Sequence, residues 1–330
     1  MVSARVESNC SKSRQDFQIR PESPKVLTTF ATISVRVVCY DASVVQGNNV
    51  QFMVRLLKVQ QIPHMKPSQR SSSPLIELCT GSIEDVILAA ELQIDRIELN
   101  SGMAVGGLTP PAGLVAAARR TFSGPIIAMV RPREAGFAYT DAEFTQMLDD
   151  CEFLLAAGVN GIAIGVLKPG GTVDVDRCTQ LRRLFPKSTF VFHKAFDATP
   201  DLGQASQQLI DAGFDRILTS GGRTSAIDGA RIIHDLRNAY GTHIEYLVAG
   251  GVRAHNLDSI VRETGCDQIH TAARTVVADL SIGLNCQLDF GSVVRDGVCG
   301  YGIADRGQLS ELISIASKIS MQRNSAEPAN

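Results

Sequence analysis

The chain of 330 residues has a formal charge of −2 and a pI near 6.3, with 44% apolar and 20% charged residues. That composition describes a globular protein with a sizeable core, gives no electrostatic footprint for nucleic acid, and holds no apolar run of the roughly 18 residues a membrane helix needs. Eight cysteines, at positions 10, 39, 79, 151, 178, 266, 286 and 299, form no CxxC pair, which argues against a structural zinc motif and suits reduced thiols in a cytoplasmic compartment.

In chain order, residues 1–73 stand apart. They hold ten Lys or Arg against four Asp or Glu, a balance of about +6 against about −8 for the remainder, and close on the linker-like "KPSQRSSSP". A basic, Ser-rich start reads as a largely disordered extension. Organelle targeting is the alternative, although Glu7, Asp16 and Glu22 spoil the acid-poor pattern of a transit peptide. Residues 31–58 carry the pattern of one or two strands and nothing that suggests chemistry.

From Pro74 onward eight short runs rich in Ile and Val, "LIELC", "RIELN", "PIIAMVRP", "GIAIGV", "TFVFHKAF", "RILTS", "IEYLVAGG" and "QIHTAA", alternate with helical patterns. Parallel strands joined by right-handed crossovers follow. Eight units within residues 74–274 predict a single (β/α)8 TIM barrel, at the short end for that fold. An internal echo supports closure: "LQIDRIELN" at 92–100, "AGVNGIAIG" at 157–165 and "AGFDRILTS" at 212–220 share a turn followed by a polar-led strand, with Arg96 and Arg216 in matching "DRI" triplets. The tail, 275–330, is expected to hold one helix near "GQLSELISIASKIS" and to end disordered in "QRNSAEPAN".

Successive strand side chains point to opposite faces. Ile76 and Leu78 therefore share one face of the first strand and Glu77 and Cys79 the other, while the second strand sets Ile97 and Leu99 against Glu98 and Asn100. With the apolar set on the helix shell, both carboxylates look into the barrel and need partners, for which Arg131 at the end of the third strand is the nearest candidate. His193 and Asp197 follow the fifth strand, Thr219 and Ser220 end the sixth, and His270 lies on the eighth. Barrel sites are built at those C-terminal ends, so Glu77, Glu98, Arg131, His193, Asp197, Thr219 and Ser220 are pocket candidates. The alternative is a structural ion-pair network. Cys151, Cys178 and Cys266 read as structural. Gly250, Gly251 and Ala273, in "AGGV" and "HTAAR", are candidates for anion binding through backbone N–H groups, with ordinary tight turns as the alternative.

The motifs "LIELC", "DRIEL", "GGLTP", "RPR", "FHKAFD", "LTSGG" and "QIHTAA", in this order and spacing, resemble the CutC family of copper homeostasis proteins over residues 75 to about 274. The resemblance implies a TIM barrel associated with copper tolerance and a copper-binding function, with Cu(I) as the expected ion and Cys79 as principal donor. Many members place a second cysteine where this chain has Asn100, so a two-thiolate site is not available there. The adjacency of first and eighth strands in a closed barrel then suggests His270 as a further metal ligand, with Met129 or His193 assisting. Two smaller departures are "RPREAGF" for "RPRGGDF" and Lys194 for a usual Arg. The competing readings are an enzyme acting on a small molecule, phosphorylated or not, and a barrel scaffold with a partner surface. The expected partners are a copper ion or small anion and a second copy in a homodimer, with neither nucleic acid nor membrane.

Overall fold

The computed structural model describes residues 73–281, 291, 293–295 and 298–326. Residues 1–72 of the extension, with its expected strands, and the last four residues lie outside the described residues.

Eight parallel strands close into a barrel: β1 (Leu75–Thr80), β2 (Arg96–Leu99), β3 (Ile126–Met129), β4 (Gly161–Ile164), β5 (Thr189–Phe192), β6 (Arg216–Thr219), β7 (Glu245–Val248) and β8 (Gln268–Thr271). Closure is made at β1, where Glu77 is in register with Arg96 of β2 on one side and with His270 of β8 on the other. Between the strands run α1 (Ile83–Glu91), α2 (Ala112–Thr121), α3 (Asp141–Ala156), α4 (Val175–Leu184), α5 (Leu202–Asp211), α6 (Ala230–Tyr240) and α7 (Ala254–Thr264). Helix starts are written locally. Ser82 caps α1 by accepting from the Asp85 N–H at 3.1 Å, and Thr140 with Glu143 forms a capping box on α3.

The strand alternation holds. Ile76, Leu78, Ile97 and Leu99 join the shell core with Val86, Val115 and Leu154 of the helices, each worth roughly 1.5–3 kcal/mol of burial. The barrel interior is divided. From β3 to β7 it is filled by Ile127, Met129, Ala163, Val191, Leu218, Leu247 and Ala249, a separate apolar cluster. The neighbouring strands β8, β1 and β2 instead bury Glu77, Arg96, Glu98 and Asn100 with the part-buried His270.

The internal echo has a structural cause. Asp95, Asn160 and Asp215, each just before β2, β4 or β6, accept backbone N–H groups at the start of the preceding strand: Ile76 at 2.8 Å, Ile126 at 2.9 Å and Phe190 at 2.7 Å. The same polar lead thus pins strand pairs three times around the barrel.

Beyond the barrel the tail holds more than the one helix expected. Strands β9 (Arg274–Ala278), β10 (Val293–Arg295) and β11 (Val298–Ala304) make an antiparallel sheet, followed by α8 (Arg306–Ala326). The "QRNSA" expected to be disordered is the end of that helix. Leu309, Leu312, Ala316 and Ile319 of α8 are buried in the shell core. Asp85, also buried, ties the sheet to the barrel by accepting from Gly81 N at 2.8 Å, Ala304 N at 2.7 Å and Arg274 Nη1 at 3.3 Å.

Candidate functional site

Three inward side chains from neighbouring strands converge. Cys79, Glu98 and His270 each offer one ligand atom, and these atoms lie within 4.8 Å of one another. The Cys79 thiol donates to Glu98 Oε2 at 3.5 Å, and His270 Nε2 stands 4.0 Å from the same oxygen. Asn100 completes the cluster, its Nδ2 donating to Glu98 Oε2 at 3.0 Å and to Cys79 Sγ at 3.4 Å. Behind them, His270 Nδ1 lies 2.8 Å from Glu77 Oε1, and Glu77 is ion-paired with Arg96.

Arg96, not Arg131, is the cationic partner of the buried Glu77, while the basic group beside Glu98 is His270. Both Arg side chains face inward, but Arg131 sits one strand further on and beyond the strand end. There its guanidinium donates to the carbonyls of Val105 and Gly107, each at 2.8 Å, and of Ala135 at 2.9 Å. Arg96 lies directly across from Glu77. The alternation that turned Glu98 inward also turns Arg96 inward two residues earlier, so the signal was present in the sequence. The network continues through Gln268, which accepts from Arg96 Nη2 at 3.0 Å and donates to Glu245 at 2.9 Å, and Glu245 pairs with Arg216 at 2.7 Å.

Electrostatics separates the two acids. Burial alone would raise both. At Glu77 the Arg96 charge and the His270 bond overcome burial and hold the carboxyl well below its usual range. At Glu98 burial prevails, reinforced by the Glu77 charge, and its pKa rises. Burial likewise pushes the Cys79 thiol up to about 11. For His270 burial favours the neutral ring, but Glu98, Cys79 and Glu77 outweigh it and hold the imidazole well above its ordinary value.

The other expected residues lie apart from this cluster. Met129 belongs to the apolar interior. His193 is buried, its ring 5.1 Å from that of Phe137 and packed across Gly165, where a Cβ would come within 2.4 Å of it. Its Nδ1 accepts from Ala195 N at 3.1 Å, while Nε2 has no partner among the described residues. Burial, with Arg131 adding, pushes this imidazole down to about 3, so it is neutral with its proton on Nε2. Thr219 and Ser220 both bind Asp197. Asp197 accepts from the Thr219 hydroxyl at 2.5 Å, the Ser220 hydroxyl at 2.8 Å, Ser220 N at 2.9 Å and Gly222 N at 3.0 Å, which commits both carboxylate oxygens to holding the loop after β6. Lys194 also reaches Asp197, at 3.6 Å. Gly250 and Gly251 take left-handed φ of +106° and +69°, and Ala273 takes +40°. At Gly250 glycine serves close packing, since a Cβ would stand 3.0 Å from that of Ser220.

The CutC family model matches residues 74–275. The family protein CutC of Treponema denticola is 37% identical over 238 residues, covering 72% of this chain and 97% of its own length. That of Glaesserella parasuis is 36% identical over 199 residues, covering 60% and 82%. A crystal structure from Streptococcus agalactiae, described as a copper homeostasis protein CutC, superposes with a TM-score of 0.57 at 31% identity, over 60% of this chain and 97% of that one.

Proposed function

The chain belongs to the CutC family, and from that premise we propose that it serves copper homeostasis by holding a copper ion reversibly inside the barrel through Cys79, Glu98 and His270. One observation carries this reading: three side chains of metal-ligating type meet within 4.8 Å, and the His270 ring is oriented by a carboxylate bonded to its other nitrogen. That carboxylate–histidine pairing is the outer support that metal-binding imidazoles recurrently have. Met129 and His193 are not needed for the set. The test is copper titration of the full chain against a competing chelator, with Cys79→Ser and His270→Gln alongside. Loss of about tenfold or more in affinity in either variant supports the site; unchanged affinity in both sinks it.

A second reading has its own observation. The buried Nε2–H of His193 has no acceptor among the described residues, and a neutral imidazole in that state is suited to donate to the oxygen of a small carbonyl compound or oxyanion. An enzyme or small-molecule binder of this kind predicts that an organic anion protects the protein against thermal unfolding in wild type and not in His193→Asn.

A further inference from the structure

The donor set is one sulfur, one oxygen and one nitrogen. Cu(I) favours sets made of thiolates and thioethers, whereas a mixed set of three protein ligands with one position left for water is the usual arrangement for a borderline divalent ion. The resemblance to CutC sequences put a second thiolate at the position of Asn100, and its contacts define what stands there instead. The Asn100 amide nitrogen points at Cys79 Sγ and Glu98 Oε2, at 3.4 and 3.0 Å. An N–H donor cannot ligate a metal. It steadies the two ligands and, by hydrogen bonding to the sulfur, draws electron density away from it, which makes a softer ion a poorer match.

Charge balance points the same way. Bound as a thiolate and a carboxylate, Cys79 and Glu98 bring two negative charges to a site that is almost fully buried. A divalent ion neutralises them, whereas a monovalent ion leaves one charge uncompensated in a poorly solvated place, which is costly. Outside the ligands, Glu77 and Arg96 cancel one another, so the outer shell does not repair that imbalance. The backing of His270 by Glu77 raises the basicity of the imidazole, which also favours the more highly charged ion.

We infer that Cys79, Glu98 and His270 form a site built for a divalent ion of the Zn(II) or Cu(II) kind rather than for Cu(I), with Asn100 setting that preference. This rests on the metal-binding reading above and narrows it to an ion class.

The experiment titrates the full chain, without oxygen, with Zn(II), Co(II) and Cu(I) against chelators of known affinity. Co(II) serves as the spectroscopic probe because a thiolate ligand gives it a charge-transfer band. The expected result is one Co(II) or Zn(II) per chain, a cobalt–thiolate band that Cys79→Ser abolishes, and Zn(II) affinity lowered about tenfold or more by Glu98→Gln. Asn100→Cys, close in size and so tolerant of folding, should shift the ratio of Cu(I) to Zn(II) affinity toward Cu(I) by about tenfold or more. Zn(II) and Co(II) failing to bind, or binding indifferently to Glu98→Gln, overturns the inference. If Cu(I) then binds in a Cys79-dependent way, the copper reading survives alone. If no metal binds, both readings fall.

Discussion

Glu77 Oε1 sits 2.8 Å from His270 Nδ1, so the nitrogen left to face Cys79 and Glu98 is Nε2. Glu77 touches no ion in this arrangement, yet it fixes the plane of the ring and makes Nε2 the nitrogen that would give up its proton to an ion. Glu77→Gln should therefore weaken metal binding by about 10- to 100-fold while leaving one ion bound per chain. Chelator competition measures this directly. Equal affinity in wild type and variant would mean that the ring is oriented by packing alone.

The Glu77–Arg96 pair is buried on both sides. Removing one partner strands the other charge away from water, a loss of about 3–5 kcal/mol. Arg96→Gln should accordingly lower the urea midpoint sharply. Adding Glu77→Gln to it should cost less than the sum of the single changes, because the stranded charge is then gone. Strictly additive losses would deny the coupling.

His193 sets an acid limit on stability. Burial and then the Arg131 charge lower its pKa from 6.5 to about 3, so the unfolded chain takes up a proton before the folded one does. Its contribution is fully present above pH 6.5 and is lost as pH falls from there toward 3, by at most about 1.4 kcal/mol per unit. Other groups titrate in the same range, and a comparison isolates this one. The stability gap between wild type and His193→Asn, from urea midpoints, should narrow between pH 6.5 and 4.5; a gap independent of pH would show that the ring is charged in the folded state.

Much of the site could be read from the sequence because strand alternation is a local rule. Once "LIELC" and "RIELN" are strands, Glu77, Cys79, Glu98 and Asn100 must share the inner face, and they do. Closure adds His270, since β8 must meet β1. Alternation gives the face and not the height along the barrel axis, so it does not tell that Arg96 is level with Glu77 while Arg131, beyond the strand end, bonds loop carbonyls instead. The tail sheet escaped for a different reason. Its strand β11, "VCGYGIA", has glycines where a sheet-forming pattern wants side chains, and their purpose is visible only in the fold: a Cβ on Gly300 would collide with the carbonyl oxygen of Val277 across the ladder. Asp85 was equally silent, because two of its three donors come from residues about 190 or more positions away.

Ala135 occupies a left-handed backbone position, φ +67°, and its carbonyl accepts from Arg131 Nη2 at 2.9 Å. The left-handed conformation accompanies that bond, and it costs a residue with a Cβ about 1–2 kcal/mol. The "RPRGGDF" pattern of the resemblance would put glycine at this place, where the cost vanishes. Ala135→Gly removes the strain but gives the unfolded chain more freedom, worth about 0.4–1 kcal/mol in the other direction. The balance is a gain of about 0.5–1 kcal/mol, read as a higher urea midpoint with an unchanged slope. A lower midpoint would mean that the Ala135 methyl contributes more through its contacts than its backbone costs, and the loop after β3 would then be stabilised by packing and not merely tethered by Arg131.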